Sequence, residues 1–172
     1  MFFKADELFQ IKVDGNTASP LNLSFEVPSD SLPEFQGPGI FFMYYKTELV
    51  YIGFFYPGQK NRDVRKERMI KELATITMRG SHVTMNPTSN KALDGSRNLQ
   101  NVPRKPKGDF LTSKKRVEFA DKNWNEFKTN DFLEDFKFYW FKEDKKLGRT
   151  RNELKTLTNQ LIKFYKPTCN GK

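Results

Sequence analysis

The 172-residue sequence predicts an α+β fold, and three observations support that prediction. Apolar and polar residues alternate within the first third of the chain, at the two-residue period of half-buried strands. Two aromatic-rich segments, joined by only three residues, then form a predicted hairpin. Apolar residues recur at helical spacing in later segments, so strands and helices follow one another in an order typical of α+β proteins.

Residues 1–37 are predicted to form an N-terminal β-hairpin extension. Apolar residues between Leu8 and Val13 precede a turn-forming Asp-Gly-Asn run at 14–16, and residues 21–27 then alternate between apolar and polar side chains. Prolines and glycines after this strand indicate a loop. The loop leads into a second unit that begins at residue 38.

The second unit, residues 38–172, is predicted to contain three strands and three helices. The strands lie at about 40–45, 49–54 and 136–142, and the helices at about 63–77, 113–128 and 151–165. Asp63 is the expected N-cap of the first of these helices. A long polar segment rich in proline and asparagine interrupts the unit, and we predict a basic insert at about 79–130.

The charge of the chain indicates a polyanionic partner such as a nucleic acid. Thirty lysines and arginines against 21 acidic residues give a formal net charge of +9. The excess is concentrated, because residues 1–37 carry six acidic and two basic side chains, whereas residues 137–172 carry ten basic and three acidic ones. Such a distribution is typical of nucleic-acid-binding proteins. A basic protein without such a partner is the alternative.

The composition excludes several kinds of site. The chain has one cysteine, Cys169, and one histidine, His82, so it can form neither an internal disulfide nor a multi-histidine zinc site. The aromatic and aliphatic run at 40–45 has six residues, far fewer than the ~20 that span a bilayer. Charged residues at positions 4, 6 and 7 interrupt any signal peptide. We therefore expect a cytoplasmic protein without a membrane partner.

Two short motifs and the C-terminal segment resemble the GIY-YIG nuclease family. The Gly-Ile-Phe run at 39–41 and the Tyr-Ile-Gly run at 51–53 are similar to the paired motifs of that family. The segment 161–170, in which an Ile-Lys pair precedes a proline and a closing asparagine, is similar to the end of its domain. The resemblance covers these motifs, the helix at 63–77 and the strand at 136–142.

The resemblance implies a fold and an activity. The fold is a small three-stranded antiparallel sheet flanked by helices, and the activity is metal-dependent DNA endonuclease, with Mg²⁺ or Mn²⁺ as the cofactor. Tyr51 is the implied general base and Arg68 the implied phosphate-binding arginine. On the residues alone, a half-buried sheet tyrosine is the favoured interpretation of Tyr51, and a solvated basic helix face is the alternative for Arg68. Cleavage of both strands would suggest a dimer.

Other side chains are predicted to contact DNA because they are basic, or because they match the closing asparagine of the family. They are Arg62, Arg65, Lys66, Arg104, Lys105, Lys107 and Asn170. On this hypothesis, the basic insert selects the target.

The metal ligand is the weakest part of the match. The glutamate of the family falls on Thr158, whose neutral hydroxyl cannot replace the charge of a carboxylate. Glu153 lies on the same predicted helix, and we predict it as the metal ligand. The run from Thr150 to Glu153 also fits a capping box, in which Glu153 would only begin the helix.

Two further positions depart from the family pattern. Phe41 stands where the family has its first tyrosine, and Phe54 where a lysine is common; Lys60 is the expected substitute for that lysine. These departures support an alternative function, a catalytically impaired nucleic-acid-binding module on the same fold.

Overall fold

The computed structural model describes residues 1–13, 23–28, 30, 32–59, 61–77, 114–127, 129, 131–144 and 146–171. Most of the predicted basic insert therefore lies outside the described residues. So do the predictions made for Lys60, Arg104, Lys105 and Lys107, and for the loop that contains His82.

The described residues form six strands and five α-helices. The strands are β1 (Phe2–Lys4), β2 (Gln10–Val13), β3 (Leu23–Glu26), β4 (Gly39–Tyr45), β5 (Glu48–Phe55) and β6 (Phe136–Lys142). The helices are α1 (Ala5–Leu8), α2 (Ile70–Ile76), α3 (Lys114–Lys122), α4 (Trp124–Phe127) and α5 (Arg151–Tyr165). The predicted α+β class is confirmed, and the predicted helix at 113–128 is divided into α3 and α4.

The main sheet has four antiparallel strands in the order β1-β6-β4-β5, one more than predicted. The additional strand is β1, which pairs with β6 so that Phe2 lies opposite Tyr139. The amino group of Met1 donates to the Trp140 carbonyl at 2.9 Å, which fixes the start of the chain to the sheet edge. A three-residue strand is too short to show a two-residue hydrophobic period, so the sequence pattern could not reveal it.

A separate two-stranded sheet follows β1. Strands β2 and β3 pair antiparallel, with Ile11 opposite Phe25, as the predicted hairpin requires. Leu8, which was expected in the first strand of that hairpin, instead lies in α1 and is buried in the core.

The two faces of the main sheet pack against different helices. Phe41, Tyr51 and Phe138 belong to the larger core, which α2 and α3 complete. Ile40 and Ile52 pack on the other face against Leu154 of α5. Because consecutive residues of a strand point to opposite faces, Tyr51 and Ile52 lie on different sides of the sheet. Helix α5 therefore packs on the face opposite Tyr51.

The helix predicted at 63–77 begins with an unusual turn. Residues Arg65–Met69 form a π-helical turn that leads directly into α2. A π-helical turn holds more residues than an α-helical one, and such turns occur frequently at functional sites. Met69 and Leu73 anchor the helix, because both side chains are fully buried against the sheet.

The C-terminal tail runs along the outer edge of β5. Helix α5 ends where Lys166 adopts a left-handed conformation, with φ of 50°, and Pro167 follows. The Cys169 amide then donates to the Val50 carbonyl at 2.8 Å. The Asn170 side chain both accepts from the Ile52 amide at 2.7 Å and donates to the Ile52 carbonyl at 2.8 Å. These bonds satisfy backbone groups that an edge strand would otherwise expose.

Candidate functional site

The two short motifs of the sequence meet on one face of the sheet. Phe41 of β4 lies opposite Gly53 of β5, and the Phe41 and Tyr51 rings have centroids 5.9 Å apart. A Cβ atom on Gly53 would lie 2.7 Å from both rings, closer than real contacts allow. The glycine is therefore required because it leaves the space that the Phe41 and Tyr51 rings occupy.

A carboxylate from α2 lies beside Tyr51. Glu72 is only 6 % exposed and forms ion pairs with Arg116 at 2.7 Å and with Arg68 at 3.1 Å. The guanidinium of Arg116, which comes from α3, also lies 5.0 Å from the centroid of the Tyr51 ring. We call these four residues the Tyr51 cluster. Strand β5, helices α2 and α3 and the turn leading into α2 each contribute to it.

The Tyr51 hydroxyl is held in its neutral form. Burial raises the pKa of Tyr51 to about 12, and the negative charge of Glu72 and a hydrogen bond to its carboxylate act in the same direction. The positive charges of Arg68 and Arg116 lower this pKa but do not offset the other effects. At neutral pH the Tyr51 phenol therefore keeps its proton, and the phenolate is not formed.

Arg68 is the member of the Tyr51 cluster that faces outward. Its side chain is 43 % exposed, whereas that of Arg116 is 15 % exposed. Its Nε is buried and has no hydrogen-bond partner among the described residues. A buried donor without an acceptor is uncommon in native structures. A guanidinium in this position can bind a phosphate oxygen while it keeps its contact with Glu72.

Glu153, the predicted metal ligand, begins α5 instead. Its carboxylate accepts hydrogen bonds from the Thr150 amide at 2.6 Å and from the Thr150 hydroxyl at 2.8 Å. These backbone and side-chain hydrogen bonds lower the pKa of Glu153. This is the capping box that the sequence offered as the alternative. Because α5 packs on the face opposite Tyr51, Glu153 does not join the Tyr51 cluster.

The described residues do not fit a Mg²⁺ or Mn²⁺ site beside Tyr51. Thr158 is buried and its hydroxyl donates to the Leu154 carbonyl at 2.8 Å. Glu72 is the only carboxylate in the Tyr51 cluster, and two guanidiniums already balance its charge. Across the described part of the chain, no group of three histidine, cysteine, aspartate or glutamate side chains is placed to hold a metal ion.

The basic residues around α2 do not share one surface. Arg65 was predicted to contact DNA, but it is 2 % exposed and pairs with Asp63 at 2.6 Å. Its guanidinium also stacks on Phe35, 4.2 Å from the ring centroid. Arg62 and Lys66 are exposed, and Arg62 pairs with Glu67 at 3.1 Å.

Asn170 is placed differently from the prediction as well. It is only 8 % exposed, and its amide is bonded to Ile52 rather than presented to a ligand. The asparagine that resembles the end of the family domain therefore attaches the tail to β5.

Sequence reasoning did not place Glu72 or Arg116 beside Tyr51. Glu72 carried a local signal, because it lies four residues after Arg68 on a predicted helix, where opposite charges form ion pairs. Arg116 carried none, since it lies 44 residues from Glu72 in the chain, beyond much of the predicted insert. Only the packing of α3 on α2 brings the two side chains together.

No protein-family model, no curated protein and no solved structure matches this chain. The similarity to GIY-YIG nucleases therefore stays a prediction that rests on the motifs at 39–41 and 51–53 and on the tail. No helix in the described ranges is long and apolar enough to cross a membrane.

The buried Tyr51 phenol and Cys169 thiol predict a loss of stability in alkaline solution. Burial raises the pKa of Cys169 from 9.0 to about 12, and that of Tyr51 from 10.0 to about 12. Above pH 9 the unfolded chain releases protons that the folded chain retains, so the free energy of unfolding falls as the pH rises toward 12. At pH 11 we expect a loss of about 3 kcal/mol from Cys169 and about 1 kcal/mol from Tyr51.

Urea denaturation between pH 8 and pH 11 measures this loss, with Cys169→Ala and Tyr51→Phe beside the parent. Each variant should lose less stability than the parent over this range. If the three curves against pH are parallel, both groups titrate normally in the folded chain.

Proposed function

We propose that this chain is a DNA endonuclease that hydrolyses phosphodiester bonds, as its resemblance to GIY-YIG nucleases implies. The Tyr51 cluster supports this proposal, because a tyrosine hydroxyl, a carboxylate and two guanidiniums converge on one point. Hydrolysis needs a proton acceptor for the attacking water and positive charge for the transition state. The cluster contains both.

Each member of the cluster has a role in this proposal. Arg68, which is partly exposed, binds the scissile phosphate, and Arg116 adds a second positive charge behind it. The attacking water gives its proton to the Tyr51 hydroxyl as the phenolic proton passes to Glu72. The water oxygen bonds to phosphorus, the bond to the leaving oxygen breaks, and the protonated cluster returns a proton to that oxygen. Tyr51 therefore relays a proton and never becomes a phenolate.

No step is assigned to a metal ion, because the described residues do not fit one. The resemblance implies Mg²⁺ or Mn²⁺, yet Glu153 is committed to the capping box and Thr158 to the Leu154 carbonyl. Whether the reaction requires a divalent ion is therefore measured directly, by comparing nicking with each ion and with EDTA.

A second candidate function is DNA binding without cleavage. The capping role of Glu153 favours this function, since it removes the carboxylate that the resemblance placed at the metal site. The neutral state of Tyr51 favours it too. In this case Arg68 binds a backbone phosphate and no bond is broken.

Nicking of supercoiled plasmid distinguishes the two functions, with parallel reactions in Mg²⁺, Mn²⁺ and EDTA. We expect the parent to nick DNA and Arg68→Ala to do so about 10²–10³-fold more slowly, which is the usual effect of losing one transition-state charge donor. Arg151→Ala is the matched control, because Arg151 is exposed and lies on α5, on the sheet face opposite the Tyr51 cluster. Its rate should stay within a few-fold of the parent.

Two outcomes would contradict the endonuclease. One is a folded parent that retains DNA but nicks it in none of the three reactions, which establishes the binding module. The other is equal nicking by the parent and Arg68→Ala, which would mean that the activity lies outside the Tyr51 cluster.

A further inference from the structure

We infer that the face of the main sheet next to α5 binds single-stranded nucleic acid. This inference goes beyond the proposed function and does not depend on it. The binding surface consists of six aromatic side chains, which we call the aromatic platform: Phe2, Phe42, Tyr44, Tyr139, Phe141 and Tyr165.

The strand register places these rings on one surface. Tyr139 of β6 lies opposite Phe2 of β1 on one side and opposite Phe42 of β4 on the other. The three side chains form a row across the sheet, because directly opposed residues of antiparallel strands share a face. Phe141 lies two residues beyond Tyr139 and therefore points to the same face.

The rings form two groups of contacts, which lie side by side because Phe42 of one group pairs with Tyr139 of the other. The centroid of the Tyr139 ring lies 5.0 Å from that of Phe2 and 5.5 Å from that of Tyr44. The Phe42 ring contacts Phe141 at 5.5 Å and Tyr165 of α5 at 6.0 Å. The platform thus extends over one sheet face from β1 to the end of α5.

Four of the six rings of the platform are exposed to solvent, although they are large and apolar. Phe141 is 54 % exposed and Phe2 is 49 % exposed, whereas Trp140, their neighbour on the other face, is 1 % exposed. Helix α5 packs on β4 and β5 and leaves the β6 and β1 side of the face uncovered. A contiguous exposed patch of this kind marks an interaction site.

The charges around the platform select its partner. Lys4 lies opposite Lys137, and Lys137 lies opposite Tyr44, so two lysines follow the aromatic row along the sheet. Lys163 and Lys166, both exposed, flank Tyr165 in the chain. Phosphates can bind these lysines while bases stack on the rings, which is how sequence-tolerant proteins hold single strands.

The acidic side chains next to Phe141 already have partners within the chain. Glu143 and Asp144 follow this ring in the chain, but Glu143 pairs with Arg149 at 2.9 Å and Asp144 accepts from the Lys146 amide at 2.9 Å.

A second copy of this chain is a poorer occupant than a nucleic acid, because a two-fold interface would bring the two lysine rows together. Duplex DNA is also a poorer occupant, since its bases are already stacked on one another.

Fluorescence anisotropy with a labelled 12-nucleotide oligo(dT) tests the platform, with the matching duplex as the comparison. All titrations contain EDTA, and binding is the only quantity measured, so the result is independent of cleavage. We expect the parent to bind the single strand on the platform, so that loss of a platform ring weakens single-strand binding more than duplex binding. Tyr139→Ser and Phe141→Ser should each weaken binding about tenfold, as expected when one base no longer stacks on a ring.

Matched variants separate stacking from other effects. Phe141→Tyr keeps a ring and should bind like the parent. Tyr56→Ser removes an exposed ring outside the platform and should also bind like the parent. The double variant Lys4→Gln/Lys137→Gln should reduce the slope of log affinity against log salt by about 1.4, because each phosphate that a lysine neutralises contributes about 0.7.

Three results would overturn the inference. The first is oligo(dT) binding that Tyr139→Ser and Phe141→Ser leave unchanged. The second is a loss of duplex affinity in Tyr139→Ser and Phe141→Ser that is as large as their loss of oligo(dT) affinity. The third is a parent dimer in sedimentation equilibrium that Phe141→Ser converts to monomer, because a second copy would then occupy the platform.

Discussion

Tyr51→Phe is expected to reduce plasmid nicking by about 10²–10⁴-fold, the usual contribution of a positioned proton-transfer group. The substitution removes only the hydroxyl that connects the attacking water to Glu72. The ring remains, and with it the contacts to Phe41 and Arg116, so the fold should be unchanged. Binding of DNA should also be retained, because Arg68 is intact. Initial rates of nicking and anisotropy with duplex DNA measure the two effects separately.

Tyr45→Phe is the matched control for this experiment. Tyr45 also faces the larger core, and its buried hydroxyl has no hydrogen-bond partner among the described residues. Removal of that hydroxyl should leave the nicking rate unchanged and should not lower stability, because no hydrogen bond is broken. Equal rates for the parent, Tyr45→Phe and Tyr51→Phe would show that Tyr51 is a core residue of the sheet and no more.

Glu72→Gln tests whether Tyr51 and Glu72 act together. The amide keeps the shape of the side chain but cannot accept the proton that Tyr51 relays. In a proton relay the two substitutions are not additive, so Glu72→Gln should have little further effect in the Tyr51→Phe variant. A double variant whose rate reduction equals the product of the two single reductions would mean that Glu72 acts independently of Tyr51.

The sequence predicted best those elements whose hydrophobic pattern extends over many consecutive residues. The hairpin of β4 and β5 was predicted from its two aromatic strands, although its connection has two residues and not three, because Glu48 pairs with Tyr45. Helix α5 extends over Arg151–Tyr165, close to its predicted bounds, because its capping box and terminal proline are both visible in the sequence. Strand β1 was missed because three residues are too few to show a two-residue hydrophobic period. Its partner β6 also lies more than 130 residues away in the chain.

The site was predictable only in part, because its members come from different regions of the chain. Tyr51 and Arg68 were identified from the motif and from the helix that follows it. Arg116 joins them only through tertiary packing. The burial of Arg65 was also unpredictable. Three arginines spaced along a predicted helix give no sign that one of them pairs with Asp63 and stacks on Phe35.

Arg65→Met is expected to destabilise the fold by about 3–5 kcal/mol, the largest single effect on stability that we predict. The Arg65 guanidinium donates three hydrogen bonds to the Asp63 carboxylate, at distances between 2.6 and 3.2 Å. It also donates to the Asp30 carbonyl at 2.8 Å. Methionine fills a similar volume but leaves the buried Asp63 carboxylate without its counter-charge. Urea denaturation at pH 7 measures the change.

Two controls separate the buried pair from a general effect of removing charge. Arg62→Met removes an exposed ion pair with Glu67 and should cost less than about 1 kcal/mol. Adding Asp63→Asn to Arg65→Met should recover part of the stability, because a neutral amide is cheaper to bury than an unpaired carboxylate. If Arg65→Met costs no more than Arg62→Met, then Arg65 is accessible in solution. It would then be available for the DNA contact that the sequence predicted, and the three arginines would form one basic surface after all.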